Sequence, residues 1–311
     1  MKNLKIIVSV LIAAMVILFF FISNNDTKPI LKKPIVAVST FALYDIVKHI
    51  AGDTVESVNI LPFGVDSHSF EPTPQLMAKI EKSALVIYSG AGLEPWVQGY
   101  HFNAKAIDIS KHVRLRKLDA DEHELHNHHD EHGTHNTIDP HYWLDFSNMK
   151  IAADVITKTL VELLPQNRAL YELNQKRYNT MLEKLDSAYK ERLSSCKADT
   201  VVVSHNALGY LSRNYGFHVE ALTGLSPEAE PSAKDVARIM DDIKKEGVTT
   251  IFFEHFVNDK VIKRIAKDTH INIDVFQALG NITKDEAQQH LTYEDIMQQN
   301  LEKLSKALVC N

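Results

Sequence analysis

Cysteine is nearly missing from this sequence: 311 residues hold only Cys196 and Cys310, far apart and in no C-x-x-C spacing. That excludes a metal site built from thiolates. It leaves one candidate disulfide, Cys196 with Cys310, in a compartment where thiols are oxidised. A surplus of positive charge is lacking too. The 34 Lys and Arg against 40 Asp and Glu give a net charge of −6, which offers nothing to a nucleic-acid backbone, and no nucleic-acid partner is expected. Neither G-x-G-x-x-G nor G-x-x-x-x-G-K occurs, so the glycine-containing "SGAGLEPW" at 89–96 reads as a tight turn and no directly bound nucleotide is expected. H-E-x-x-H and G-x-S-x-G are absent as well, which removes a zincin helix and a nucleophile elbow.

What is present begins with an apolar run. Residues 6–22 carry no charge, follow Lys2 and Lys5, and give way at once to the polar stretch 23–28. Residues 1–27 therefore read as a signal peptide or an N-terminal membrane anchor, and the mature chain as periplasmic or otherwise extracytoplasmic. No cysteine lies near position 23, so a lipid-modified N-terminal cysteine is excluded. A soluble exported protein and one tethered by an uncleaved helix both fit.

Beyond the leader, 45% hydrophobic and 24% charged residues support a packed core, and the length suffices for two lobes of ordinary domain size. Strand-like runs at 34–40, 55–63, 84–90 and 104–110 alternate with helical spacing at 41–53 and 72–83, where Thr73 caps and Pro74 opens the first turn. The alternation resumes with strands at 200–205, 218–224, 248–255 and 271–278 and helices at 206–216, 232–247, 258–270 and 292–310. Such βα repetition predicts mainly parallel sheets. Between the two series, 146–164 is helical and 165–196 reads as one long helix. Its apolar residues are Leu170, Leu173, Tyr178, Met181, Leu182, Leu185 and Tyr189, over roughly 28 residues or about 40 Å. The expected fold is α/β: an N-terminal βα lobe over 28–164, a linking helix over 165–196 and a C-terminal βα lobe over 197–311.

Three histidines stand where such a fold gathers ligands. His68 lies in "GVDSHSFEPTP", His141 in "DPHYWLD", and His205 ends the strand "VVVSH". Ligands of parallel sheets collect outside the carboxyl ends of the strands. Three imidazoles suit Zn²⁺ and leave one tetrahedral position open. Spacing alone does not bring together residues so far apart, and each histidine taken singly reads more readily as an ordinary hydrogen-bonded residue.

The motifs around them carry more. "VDSHSFEPTP", "DPHYWLD", "VVSHNALGYLSRNYGF", "GLSPEAEPSAKDVARI" and "YEDIMQQNLEKLSKAL", in order from about 34 to 309, resemble the metal-binding subunit of zinc/manganese ABC importers, the ZnuA/TroA-like family. The resemblance implies two βα lobes bridged by a rigid long helix with the metal in the cleft. It places His68, His141 and His205 at the family's three metal-binding histidines and Glu254 at an acidic position near the cleft, where hydrogen bonding to a ligand is the expected role. "GLSPEAEPS" and the His-rich insert resemble the zinc branch. One departure stands out: Gly280 and Asn281 occupy the region where many relatives supply an acidic fourth ligand, so water or a loop histidine is expected there.

The insert, 121–136, holds His123, His126, His128, His129, His132 and His135 among carboxylates. Neutral imidazoles interspersed with acids make weak, exchangeable zinc sites that let go in acid. The expected function is capture of Zn²⁺ and its delivery to the permease of an ABC importer by a monomeric binding protein with no catalytic activity. The alternatives are a zinc hydrolase, with Glu71 or Glu254 as the acid, and a Mn²⁺ or Fe²⁺ member of the same family.

Overall fold

The computed structural model describes Met15 and residues 33–118, 138–227, 230–255 and 259–311. The architecture below belongs to the unit formed by residues 34–311. The expected leader, save Met15, and the His-rich loop with its six histidines lie outside the described residues. Among the described residues no helix is long and apolar enough to cross a membrane.

The first sheet holds β1 (Ile35–Val38), β2 (Glu56–Asn59), β3 (Leu85–Tyr88) and β4 (Lys105–Asp108) in the order β2-β1-β3-β4, all parallel. Helices α1 (Phe41–Ala51) and α2 (Pro74–Ile80) make its crossovers. The second sheet holds β7 (Thr200–His205), β8 (His218–Thr223), β9 (Thr250–Phe253) and β10 (Asn272–Val275) in the order β10-β9-β7-β8, again parallel. Helices α5 (Gly209–Tyr215), α6 (Ala233–Glu246) and α7 (Lys260–Thr269) connect them. The two sheets thus share one topology. In each, the first strand lies inside, the second takes the edge, and the order reverses between first and third strand. That reversal is where ligands of such sheets bind.

Between the sheets run α3 (Phe146–Leu163) and α4 (Arg168–Leu193), the latter 26 residues or about 39 Å long. A 3₁₀ turn (Pro165–Asn167) precedes α4, because a proline there starts a new segment rather than continuing the old one. The buried face of α4 is Tyr171, Tyr178, Leu182, Leu185, Tyr189 and Leu193. Leu170 and Leu173, expected in that stripe, are 43% and 48% exposed. They lie off the 3.6-residue line that Tyr171 and Tyr178 set. The chain closes with the short helix α8 (Lys284–Gln288) and α9 (Tyr293–Ala307), and Cys196 and Cys310 are joined by a disulfide where the end of α4's connection meets the chain's end.

Local signals explain the helix ends. Ser232 caps α6 in a capping box with Asp235, and Gly216 and Gly247 close α5 and α6 in left-handed conformation. One hydrophobic core then runs beneath both sheets: Val36, Phe41, Trp143 and Met149 belong to the same cluster as Tyr178, Val201, Tyr210, Phe276 and Tyr293. Within it Asp45 of α1 is buried as a polar hub. Its Oδ2 accepts from Tyr178 Oη–H of α4 (3.0 Å), and its Oδ1 from the backbone N–H of Tyr293 that opens α9 (3.2 Å).

Candidate metal centre

His141 is placed by a short ribbon. β5 (Arg116–Lys117) pairs antiparallel with β6 (Ile138–Asp139), and Pro140 then turns the chain so that His141 opens a 3₁₀ turn over Tyr142–Leu144. Asp145 ends that turn and caps α3, accepting from the N–H groups of Ser147 and Asn148. His205 is the last residue of β7, at the carboxyl end of an internal strand buried throughout. His68 sits in the connection between β2 and α2. Asn281 staples that connection to the second half of the chain, its Nδ2 donating to Pro62 O (2.7 Å) and Val65 O (2.8 Å), while Gly64 N–H donates to Ile282 O (2.9 Å).

The three imidazoles converge. Ring centroids are 5.3 Å apart for His68 and His141, 5.4 Å for His141 and His205, and 6.0 Å for His68 and His205. One nitrogen from each lies within 4.8 Å of the other two. Tetrahedral zinc at about 2.0–2.1 Å from each nitrogen would hold them about 3.3 Å apart, a difference that side-chain rotation covers. His141 and His205 are buried and His68 is half-buried. A cavity of about 10 Å³ adjoins them, the size of one water or ion, walled by Asp66, Trp143, Glu254, Ala278 and Gly280.

Hydrogen bonding prepares the nitrogens. Asp139 Oδ1 lies 2.8 Å from His141 Nδ1 and accepts the His141 backbone N–H at 3.0 Å. A carboxylate oxygen only accepts here, so Nδ1 carries the proton and Nε2 keeps its lone pair. That Nε2 is buried with no hydrogen-bond partner among the described residues, as are both ring nitrogens of His205. Buried polar atoms left unpaired are rare and costly, and a divalent cation satisfies them. Glu254 Oε1 stands 2.8 Å from His205 Nδ1, close enough to pair electrostatically but off the direction of a ring N–H bond. Burial would lower the His205 pKa; the Glu254 carboxylate outweighs it, with Asp66 and Asp139 adding, and the net shift is upward. His68 is pushed down to about 2 by burial and then by the neighbouring imidazoles of His141 and His205. It is a neutral donor at any physiological pH.

The region that lacks an acidic fourth ligand now has a steric reason. A β-carbon on Gly280 would stand 2.9 Å from Ser67 Oγ and 3.6 Å from Trp143 Cζ2, so a side chain there requires the Ser67 hydroxyl, next to His68, to give way. Asn281 Nδ2 is occupied by its two carbonyl acceptors, while its Oδ1 is buried beside the cavity without a hydrogen-bond partner among the described residues. We expect Asn281→Asp to weaken zinc binding by about tenfold instead of adding a ligand, because a carboxylate would face two carbonyl oxygens it cannot bond; isothermal competition titration checks this. Glu71, nominated as a hydrolytic acid, is exposed and is not among the residues walling the cavity, and Glu254 is engaged with His205. Reading by motif missed Asp139, Asp66 and Arg116. For Asp139 a signal existed, an acid two residues before a candidate ligand in "DPH".

Matched parallel lobes, one bridging helix and imidazoles converging at the strand ends define a two-lobed, metal-cleft class of binding protein. The chain belongs to the family described as "Zinc-uptake complex component A periplasmic", whose sequence profile matches residues 36–307. It is 32% identical over 282 residues to the high-affinity zinc uptake system protein ZnuA of Bacillus subtilis, covering 88% of this chain and 87% of that protein. It is 28% identical over 309 residues to the zinc-binding lipoprotein AdcA of Streptococcus pneumoniae, covering 96% of this chain but only 60% of that longer protein. The crystal structure of the Zn(II)-bound ZnuA-like domain of that AdcA superposes with a TM-score of 0.73 at 27% identity, covering 89% of this chain and 99% of the domain.

Proposed function

We propose that this protein captures Zn²⁺ outside the cytoplasm through His68, His141 and His205 and hands it to the permease of an ABC importer. The observation that carries the reading is the convergence of three imidazoles, among which the buried Nε2 atoms of His141 and His205 have no hydrogen-bond partner among the described residues. An all-nitrogen set favours zinc over manganese, which prefers carboxylate oxygen. Asp139 on His141 and Glu254 on His205 orient the rings and supply negative charge around a neutral donor set. Three ligands with a replaceable fourth make binding tight and still releasable, as transport requires.

The His-rich segment, 121–136, follows β5 and precedes β6 in sequence, ending five residues before the ligand His141. Zinc held there is kept at high local concentration beside the site. Competition titration with Zn²⁺ and Mn²⁺, followed by mass spectrometry of bound metal, tests both readings. One tight zinc per chain plus several weak ones is expected, and deletion of 121–136 is expected to remove only the weak ones. Stoichiometric manganese in the purified protein, or loss of the tight site on deletion, would overturn the respective reading.

A further inference from the structure

We propose that Arg116 is a positioning residue for this site, acting on His141 through Asp139; the inference deepens the reading of His141 as a zinc ligand and rests on it. Asp139 is fully buried and divides its two oxygens. Oδ1 serves the backbone N–H and Nδ1 of His141, whereas Oδ2 accepts from Arg116 Nη1 at 3.1 Å. The Arg116 side chain is only 11% exposed, so the guanidinium supplies the countercharge that a buried carboxylate requires, at short range and in a fixed direction. With Oδ2 held, the carboxylate plane is fixed and Oδ1 stays on Nδ1. His141 then keeps the tautomer and ring orientation that turn Nε2 toward the other two imidazoles.

A second observation, from another part of the chain, points to the same contact. Gly209 opens α5, four residues after His205, and its backbone is not in the left-handed region. Its conformation therefore does not demand glycine, and helix propensity favours alanine. Space does demand it: a β-carbon there would stand 2.2 Å from Arg116 Nη1, 2.6 Å from its Cζ and 3.0 Å from Asp139 Oδ2. The bare Cα is the seat in which the guanidinium lies. Tyr210, the next residue, holds the ribbon independently. Its hydroxyl accepts from Arg116 N–H (2.8 Å) and donates to Asp139 O (2.9 Å), contacts that survive loss of the arginine head group. The turn from β7 into α5 thus carries His205, the seat for Arg116 and the clamp on the strand before His141.

The test uses the full chain with Arg116→Met, Arg116→Lys and Gly209→Ala. Chelator competition is expected to show zinc affinity about 10–100-fold weaker for Arg116→Met and Gly209→Ala, with Arg116→Lys recovering most of it. In metal-free protein, ¹⁵N NMR of the imidazoles is expected to show His141 as the Nδ1–H tautomer in the parent and as a mixture in Arg116→Met. Wild-type affinity in both Arg116→Met and Gly209→Ala would overturn the proposal. So would an unchanged His141 tautomer, even alongside an affinity loss, since that loss would then be merely structural. If the parent binds no zinc tightly, the ligand reading falls, and the tautomer measurement still decides the role of Arg116.

Discussion

Replacing His205 with alanine is expected to weaken zinc binding by well over about 100-fold, beyond the 10–100-fold that losing a supporting residue costs. Removing one of three nitrogen donors leaves a site with two, which no longer outcompetes water and chelators. The parent should be stabilised by about 4 kcal/mol when free zinc exceeds its Kd about a thousandfold, and His205→Ala should lose most of that gain at the same zinc concentration. The parent's pH dependence follows from the same residue. Glu254 raises the pKa of His205 against its burial, whereas His68 lies near 2 and stays neutral. As pH falls below the raised value, a proton on His205 competes with the metal, and affinity should drop about tenfold per pH unit on its account. Glu254→Gln removes the main cause of the upward shift and should move the onset of that drop to lower pH. Chelator competition from pH 5 to 8 measures both; a pH-independent parent would contradict the assignment of His205 as a ligand.

The other large effect is expected far from the metal. Asp45→Ala should destabilise the fold by about 3 kcal/mol, since two hydrogen bonds to a buried charged group disappear and the Tyr178 hydroxyl is left buried without an acceptor. For a unit of this size that is a fall in Tm of about 5 °C, readable by calorimetry on the metal-free protein. The variant should also flatten a pH dependence. Hydrogen bonding to Asp45 raises the pKa of His49 from 6.5 to about 9 against partial burial. A group whose folded-state pKa is raised stabilises fully below its unfolded value and loses that contribution as pH climbs through the folded one. The parent should therefore lose some stability between about pH 6.5 and 9, by an amount reduced by the solvent exposure of His49, and Asp45→Ala should lose less, because the backbone carbonyl of residue 45 and Glu294 still favour the charged ring.

These two expectations divide along what a reader of the chain can see. The βα alternation, the cap at Ser232 and the glycines ending α5 and α6 are local features, and local rules find them. The imidazoles that meet in the structure could be named as a set only through motif resemblance, because residues 68, 141 and 205 share no helix or strand. Asp45 was invisible in "FALYDIVKHI", where an acid among apolar residues reads as a surface position; its partners Tyr178 and Tyr293 lie 133 and 248 residues away. The ribbon of β5 and β6 escapes for a different reason, since two-residue strands are too short to show a period. Leu170 and Leu173 misled because a mixed apolar helix offers more than one stripe, and packing against α1 and α3 selected the one headed by Tyr171.

On the proposed function, the shared core beneath both sheets limits how the ion can leave. Prising the halves apart like a hinged shell would bring Tyr210, Phe276 and Tyr293 toward water, and each aromatic side chain covers about 150–250 Å², or about 4–6 kcal/mol at 25 cal/mol/Å². Contact with a membrane partner would have to exceed that sum before any ion moved. The cheaper exit lies in the segment around His68, half-buried and moored across the cleft by Asn281, so turnover in import should be governed by the lifetime of those few bonds and not by the stability of the whole fold.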